Sequence, residues 1–151
     1  MNNINELKDK VNTKTLHFVL LTIVTVGIYP IIWLFVNKKI IEDITNTKIS
    51  SNSFLIWIAI CVGLSGVFSG SGDITLDVIS GILSLATSVL YVVWAFRARK
   101  ALQEYVLNHY KLDLKMNRIY TGLFTVYYIN YCINDLNEVK RKQEILNERL
   151  V

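Results

Sequence analysis

Residues 54–96 read FLIWIAICVGLSGVFSG, then SGD, then ITLDVISGILSLATSVLYVVWAF. Two apolar runs, 54–70 and 74–96, flank a Gly/Ser-rich turn, Ser69-Gly70-Ser71-Gly72-Asp73. Neither run carries the polar face of a soluble amphipathic helix. Each approaches the roughly 20 apolar residues that a bilayer crossing needs. The stretch therefore predicts a transmembrane helical hairpin.

On its N-terminal side, 15–36 (TLHFVLLTIVTVGIYPIIWLFV) has the length of one span but is punctuated in its middle. Gly27 is conformationally permissive, Pro30 lacks a backbone donor, and Tyr29 before the proline is biased away from helical dihedrals. Two shorter helices, about 15–26 and 30–45, joined at Gly27-Ile28-Tyr29, are expected. Ahead of them, Ile4, Leu7 and Val11 have helical spacing and suit a short interfacial helix. No small-residue cleavage site follows 1–30, so this segment is expected to be retained.

On the C-terminal side, 97–114 (RARKALQEYVLNHYKLDL) alternates apolar and charged faces and predicts an amphipathic helix. Residues 119–134 (IYTGLFTVYYINYCIN) are apolar but short for a span, which suits a re-entrant or interfacial segment running into a charged helical tail to about 149. The 151-residue chain is read as a single all-α membrane domain, its central hairpin flanked by two broken segments and amphipathic helices.

Composition agrees. The chain is 52% hydrophobic and 19% charged, against about 25% charged in ordinary soluble domains. Its formal charge of +4 gathers at the ends of apolar runs, with no basic stripe bearing exposed aromatics, so nucleic-acid binding is not expected. The 69–77 loop alone lacks positive charge. If every basic cluster is cytoplasmic, only 54–70 and 74–96 cross. The predicted location is a cell inner membrane, multi-pass, with both termini cytoplasmic.

Cys61 and Cys132 stand in no metal-ligand spacing, and no metal or cofactor is expected. Gly63-Leu64-Ser65-Gly66 matches the GxSG pattern of rhomboid-type intramembrane proteases, and His17 is the histidine that would serve as base. The same segment reads better as packing: Gly63, Gly66 and Gly70 on one helix, and Ser80, Gly81, Ser84 and Ser88 on the next, are faces suited to close helix approach. No enzyme is expected. The absence of Asp, Glu, Lys and Arg from 15–36, 49–72 and 78–96 argues against a proton-coupled carrier.

Asn130 and Asn134 lie four apart and could line a water path or bond a neighbouring helix. Ile129, Cys132, Leu136, Val139, Gln143, Leu146 and Leu150 alternate in steps of three and four, a seam for self-association. The segment Gly27–Val36 also aligns without gaps on Thr125–Asn134, sharing aliphatic-Tyr-x-Ile-x-aromatic. Repeats with broken helices line substrate sites in some transporters.

At Thr25-Val26-Gly27-Ile28-Tyr29-Pro30-Ile31-Ile32-Trp33-Leu34 the chain resembles a family of small bacterial membrane proteins classed only as a domain of unknown function. Tyr128-Ile129-Asn130-Tyr131-Cys132-Ile133-Asn134-Asp135-Leu136 resembles that family's closing stretch. The resemblance implies a bacterial membrane location and a broken first segment, and no catalytic residue. Two functions remain open: a homo-oligomer that forms or gates a pore or perturbs membranes, and a membrane anchor or scaffold docking a cytoplasmic protein.

Overall fold

A computed structural model describes residues 5–148, which are helical and without strands. The elements are α1 (Asn5–Val11), α2 (Thr15–Val24), α3 (Tyr29–Thr45), α4 (Asn52–Phe68), α5 (Ile74–Tyr110) and α6 (Arg118–Glu148).

The first segment breaks where glycine and proline require it, over 25–28. Val26 and Gly27 have positive φ (51° and 86°), a region open to glycine and uncommon for valine. Thr25 joins the two sides. Its hydroxyl donates to the Leu21 carbonyl (2.8 Å) and accepts from the Tyr29 N–H (2.9 Å), which would otherwise be an orphan of the first turn of α3. Pro30 follows within that turn, where a missing N–H costs nothing. Tyr29 thus opens α3 rather than belonging to the joint.

At its other end α3 stops at Asn46 in a left-handed conformation. The Glu42 carboxylate then accepts from the Ile49 and Ser50 N–H groups (2.7 and 2.9 Å), and Lys38 Nζ donates to Asn52 Oδ1 (2.9 Å). These bonds fix the approach to α4, which Ser51 caps by accepting from the Phe54 N–H.

α4 and α5 pack as an antiparallel pair. Asp73 caps α5 by accepting from the Thr75 N–H, and Gly70 donates its N–H to Asp77 across the turn. The expected boundary between a span at 74–96 and an amphipathic helix at 97–114 does not exist. α5 is continuous for 37 residues, about 55 Å at 1.5 Å per residue. No glycine or proline stands between Ser84 and Tyr110 to break it.

After α5, Lys111 turns the chain in a left-handed conformation, and a strap over 112–116 follows with Leu112, Leu114 and Met116 buried and Asp113 and Lys115 exposed. Arg99 donates to the Met116 carbonyl (2.9 Å) and Gln103 to the Leu114 carbonyl (2.8 Å), which ties the strap to α5. α6 carries both the apolar 119–134 segment and the charged tail. It kinks at Thr125, whose φ of 40° and ψ of −115° are non-helical.

Burial divides the molecule in two. In α2, α4, the first half of α5 and the start of α6, large apolar side chains face outward, Leu85 at 70% and Leu123 at 70% exposure among them. In α1, the second halves of α3 and α5, the 112–116 strap and α6 beyond the kink, apolar side chains are buried. Leu7, Ile41, Leu102, Val106, Ile129 and Leu136 are all at 1% or less there. Leu7 and Val11 of α1 join this core instead of lying on a surface.

Candidate functional site

The two helix breaks, far apart in sequence, come together in space. Gly27, Pro30, Thr125, Val126 and Tyr127 line one mainly apolar cavity of about 170 Å³, closed on other sides by Thr22, Val62 and Tyr91. Gly27 and Thr125 are equivalent positions of the internal repeat, and both have positive φ. The equivalent tyrosines, Tyr29 and Tyr127, share a partner. Phe18, fully buried on α2, contacts Tyr29 edge-on (5.4 Å between centroids) and Tyr127 at 4.8 Å. Trp33 stacks on the same ring (5.2 Å) and meets Trp94 edge-on (6.2 Å). Such aromatic pairs add about 0.5–1.5 kcal/mol each beyond area burial.

Asn130 and Asn134 close the arrangement below the cavity. Both donate to the Thr13 carbonyl (3.0 and 2.8 Å), and both approach the Thr15 hydroxyl (3.3 and 3.4 Å). Asn134 also donates to the Asn130 carbonyl at 2.9 Å. The pair thus clamps the start of α2 to α6. Its amide donors are spent on a fixed backbone carbonyl, while Asn130 Oδ1 is buried without a protein partner.

The small residues of the hairpin play different parts. A Cβ added at Gly63, Gly66 or Gly81 meets no atom within 4 Å, and all three are exposed. The inter-helix bond comes from Ser80, whose hydroxyl donates to the Ser65 carbonyl at 2.8 Å. Ser84 and Ser88 are exposed and donate to carbonyls one turn back on α5. Gly70 has φ 72° and belongs to the turn. Ser65 donates to the Val62 carbonyl and His17 is exposed on α2; no hydrogen bond joins them among the described residues.

The tail residues separate into two groups. Leu136 is buried and Val139 packs on the same core, so both are used within the chain. Gln143 is half-buried, Leu146 is exposed, and Leu150 lies outside the described residues. Here α6 carries i,i+4 ion pairs, Glu138–Lys142 (2.6 Å) and Lys140–Glu144 (3.7 Å), which support a single exposed helix. The first pair lowers the Glu138 carboxyl and raises the Lys142 ammonium from their usual ranges. On α5, burial and the hydrogen bond shared with Tyr110 raise the Tyr105 hydroxyl above its usual range.

Thr13, Thr15, Phe18, Thr25 and Trp94 were not picked out as site residues by sequence reasoning. Thr25 had a readable signal, a hydroxyl two residues before the permissive glycine. The other four act through partners distant in the chain.

A family profile matches residues 13–104, more than half of the chain, and its description is Domain of unknown function (DUF4234). The chain belongs to that family. The DUF4234 match opens at Thr13, the residue clamped by the asparagines, and takes in the Gly27–Pro30 break, α4 and most of α5. It ends before α6, so the 128–136 stretch lies beyond it. No curated protein and no solved structure matches the chain.

Proposed function

We propose that this DUF4234 protein is an integral membrane protein of a cell inner membrane that assembles with copies of itself and forms or gates a pore. In this reading α4 and the first half of α5 cross the bilayer, α2 and the start of α6 enter without crossing, and both termini are cytoplasmic.

The observation that carries the reading is that apolar side chains and bare glycines are turned outward together on α4 and α5. α5 is long and apolar enough to cross a membrane, yet only 22% of its apolar window is buried. Left in water, that surface would cost about 25 cal/mol per Å². In lipid it costs nothing, and exposed glycines let the backbone of a second copy approach closely. Ser84 and Ser88 satisfy their hydroxyls on their own helix, which lipid exposure requires. Asn130 and Asn134 are committed within one chain, so a water path would run between copies. The paired breaks at Gly27 and Thr125 supply joints for gating.

Single-channel recording on purified protein in planar bilayers tests this, with Gly66→Leu and Gly81→Leu as seam variants. Discrete conductances lost in those variants are expected. Ion-tight liposomes at high protein density would contradict the pore.

A second reading, a membrane anchor or scaffold for a cytoplasmic protein, is favoured by the half with the buried core. It presents the charged ends of α5 and α6, a larger folded unit than anchoring alone needs. Crosslinking and pulldown from native membranes distinguishes the two; recovery of self-contacts alone counts against the scaffold.

A further inference from the structure

Three cations from two separate segments converge on one cavity. Lys48 of the α3–α4 loop and Arg97 and Lys100 of α5 line a space of about 310 Å³. Small-molecule sites run from roughly 300 to 1,000 Å³. Glu104 is the carboxylate on the wall, 3.7 Å from Lys100 Nζ. Lys48 and Arg97 make no ion pair among the described residues. Of the two acids just before the loop, Glu42 is committed to the Ile49 and Ser50 N–H groups and to Lys38, and Asp43 lines a different cavity, beside Glu6 and Lys10.

The loop that carries Lys48 and the guanidinium of Arg97 are each positioned by a contact. Glu42 and Lys38 fix the loop that carries Lys48. Arg97 lies over the Phe54 ring, 5.7 Å from its centroid, a contact that orients a guanidinium without using its N–H donors. The cavity also sits where the exposed apolar surface of α5 ends, since Phe96 is exposed and Ala98 is buried. A wall with a surplus of two positive charges at that level suits an anion, and Arg matches phosphate oxygens bidentately.

We propose that this cavity is a binding site for a phosphate ester, taken either from an anionic phospholipid headgroup or from a soluble compound. The lipid source rests on the membrane reading above; the site itself does not. Basic pockets beside membrane helices are a recurrent form of headgroup recognition.

The test is native mass spectrometry of the full chain in detergent, titrated separately with phosphatidylglycerol, phosphatidylcholine and glycerol 3-phosphate. Phosphatidylglycerol should bind about tenfold better than phosphatidylcholine, and the double variant Lys48→Gln, Arg97→Gln should remove about that factor. Glu104→Gln, which deletes the opposing carboxylate, should raise affinity about two- to threefold, a gain that misfolding cannot produce. Lys140→Gln, remote on α6, should change nothing. Glycerol 3-phosphate binding with the same variant pattern and no lipid preference supports the site and gives its source as soluble. An unaltered double variant, or an equal loss in Lys140→Gln, overturns the proposal. Alkaline carbonate extraction of the wild-type chain separately tests membrane residence, so the two readings fail by different results.

Discussion

The two halves of α5 are one uninterrupted helix with opposite surfaces. From Ile74 to Val93 the apolar residues Val78, Ile82, Leu85 and Val89 face outward, and the buried positions are Ser80 and Thr87. From Trp94 onward the pattern inverts. Ala95, Ala98, Ala101, Leu102, Tyr105 and Val106 are buried at helical spacing, while Arg97, Lys100 and Glu104 are exposed. The second half has the pattern of an amphipathic helix in water; in the proposed membrane reading the first half is solvated by lipid. The change occurs within one turn, at Trp94–Arg97, without a break in the backbone. The burial pattern, and not the continuity of the backbone, is therefore what changes along this helix.

Substitutions at matched positions can break that contrast. Trp94→Ala should cost about 3–5 kcal/mol in reversible denaturant titration, because it empties a core site. Leu85→Ala should stay within about 0.5 kcal/mol. Equal costs would remove the distinction between the halves.

Charge sharpens it further. Leu85 and Leu107 are both exposed on α5, at 70% and 54%. Arg at position 85 should oppose membrane insertion by about 2.5–3.5 kcal/mol, while Leu107→Arg should be neutral in the same insertion assay. The comparison uses one helix and one side chain type, so propensity cancels.

Smaller effects are expected where the halves meet. Asn130→Ala and Asn134→Ala should each lower stability by about 1–2 kcal/mol, and the double variant by less than the sum because both donate to Thr13. At the breaks, Gly27→Ala should cost about 1 kcal/mol, while Thr125→Gly should gain a similar amount by relieving a positive φ. Thermal unfolding in detergent reads both signs.

Much of this was legible in the chain. Gly27 and Pro30 announce the first break through local chemistry, and the 54–96 hairpin through length and Gly/Ser content. Within the described residues the seam positions lie on one helix, and Leu136 and Val139 among them meet the chain's own core. Periodicity reports which residues share a face and not what covers it. The Thr125 kink has neither glycine nor proline at its apex, so no local residue type announces it. The Asn134–Thr13 bond spans 121 positions, beyond any local pattern. The convergence of Lys48 with Arg97 and Lys100 was hidden in the same way. The cations were visible as flanking charge, but their shared cavity depends on how the α3–α4 loop folds.

In the proposed membrane reading the first half of α5 faces lipid. Spin labels placed singly along 78–107 and probed with oxygen and a water-soluble nickel complex measure this directly. Labels at positions 78, 82, 85 and 89 should be accessible to oxygen and shielded from nickel, with the preference reversing at 97, 100, 104 and 107. Nickel accessibility at position 85 equal to that at 107 would contradict it.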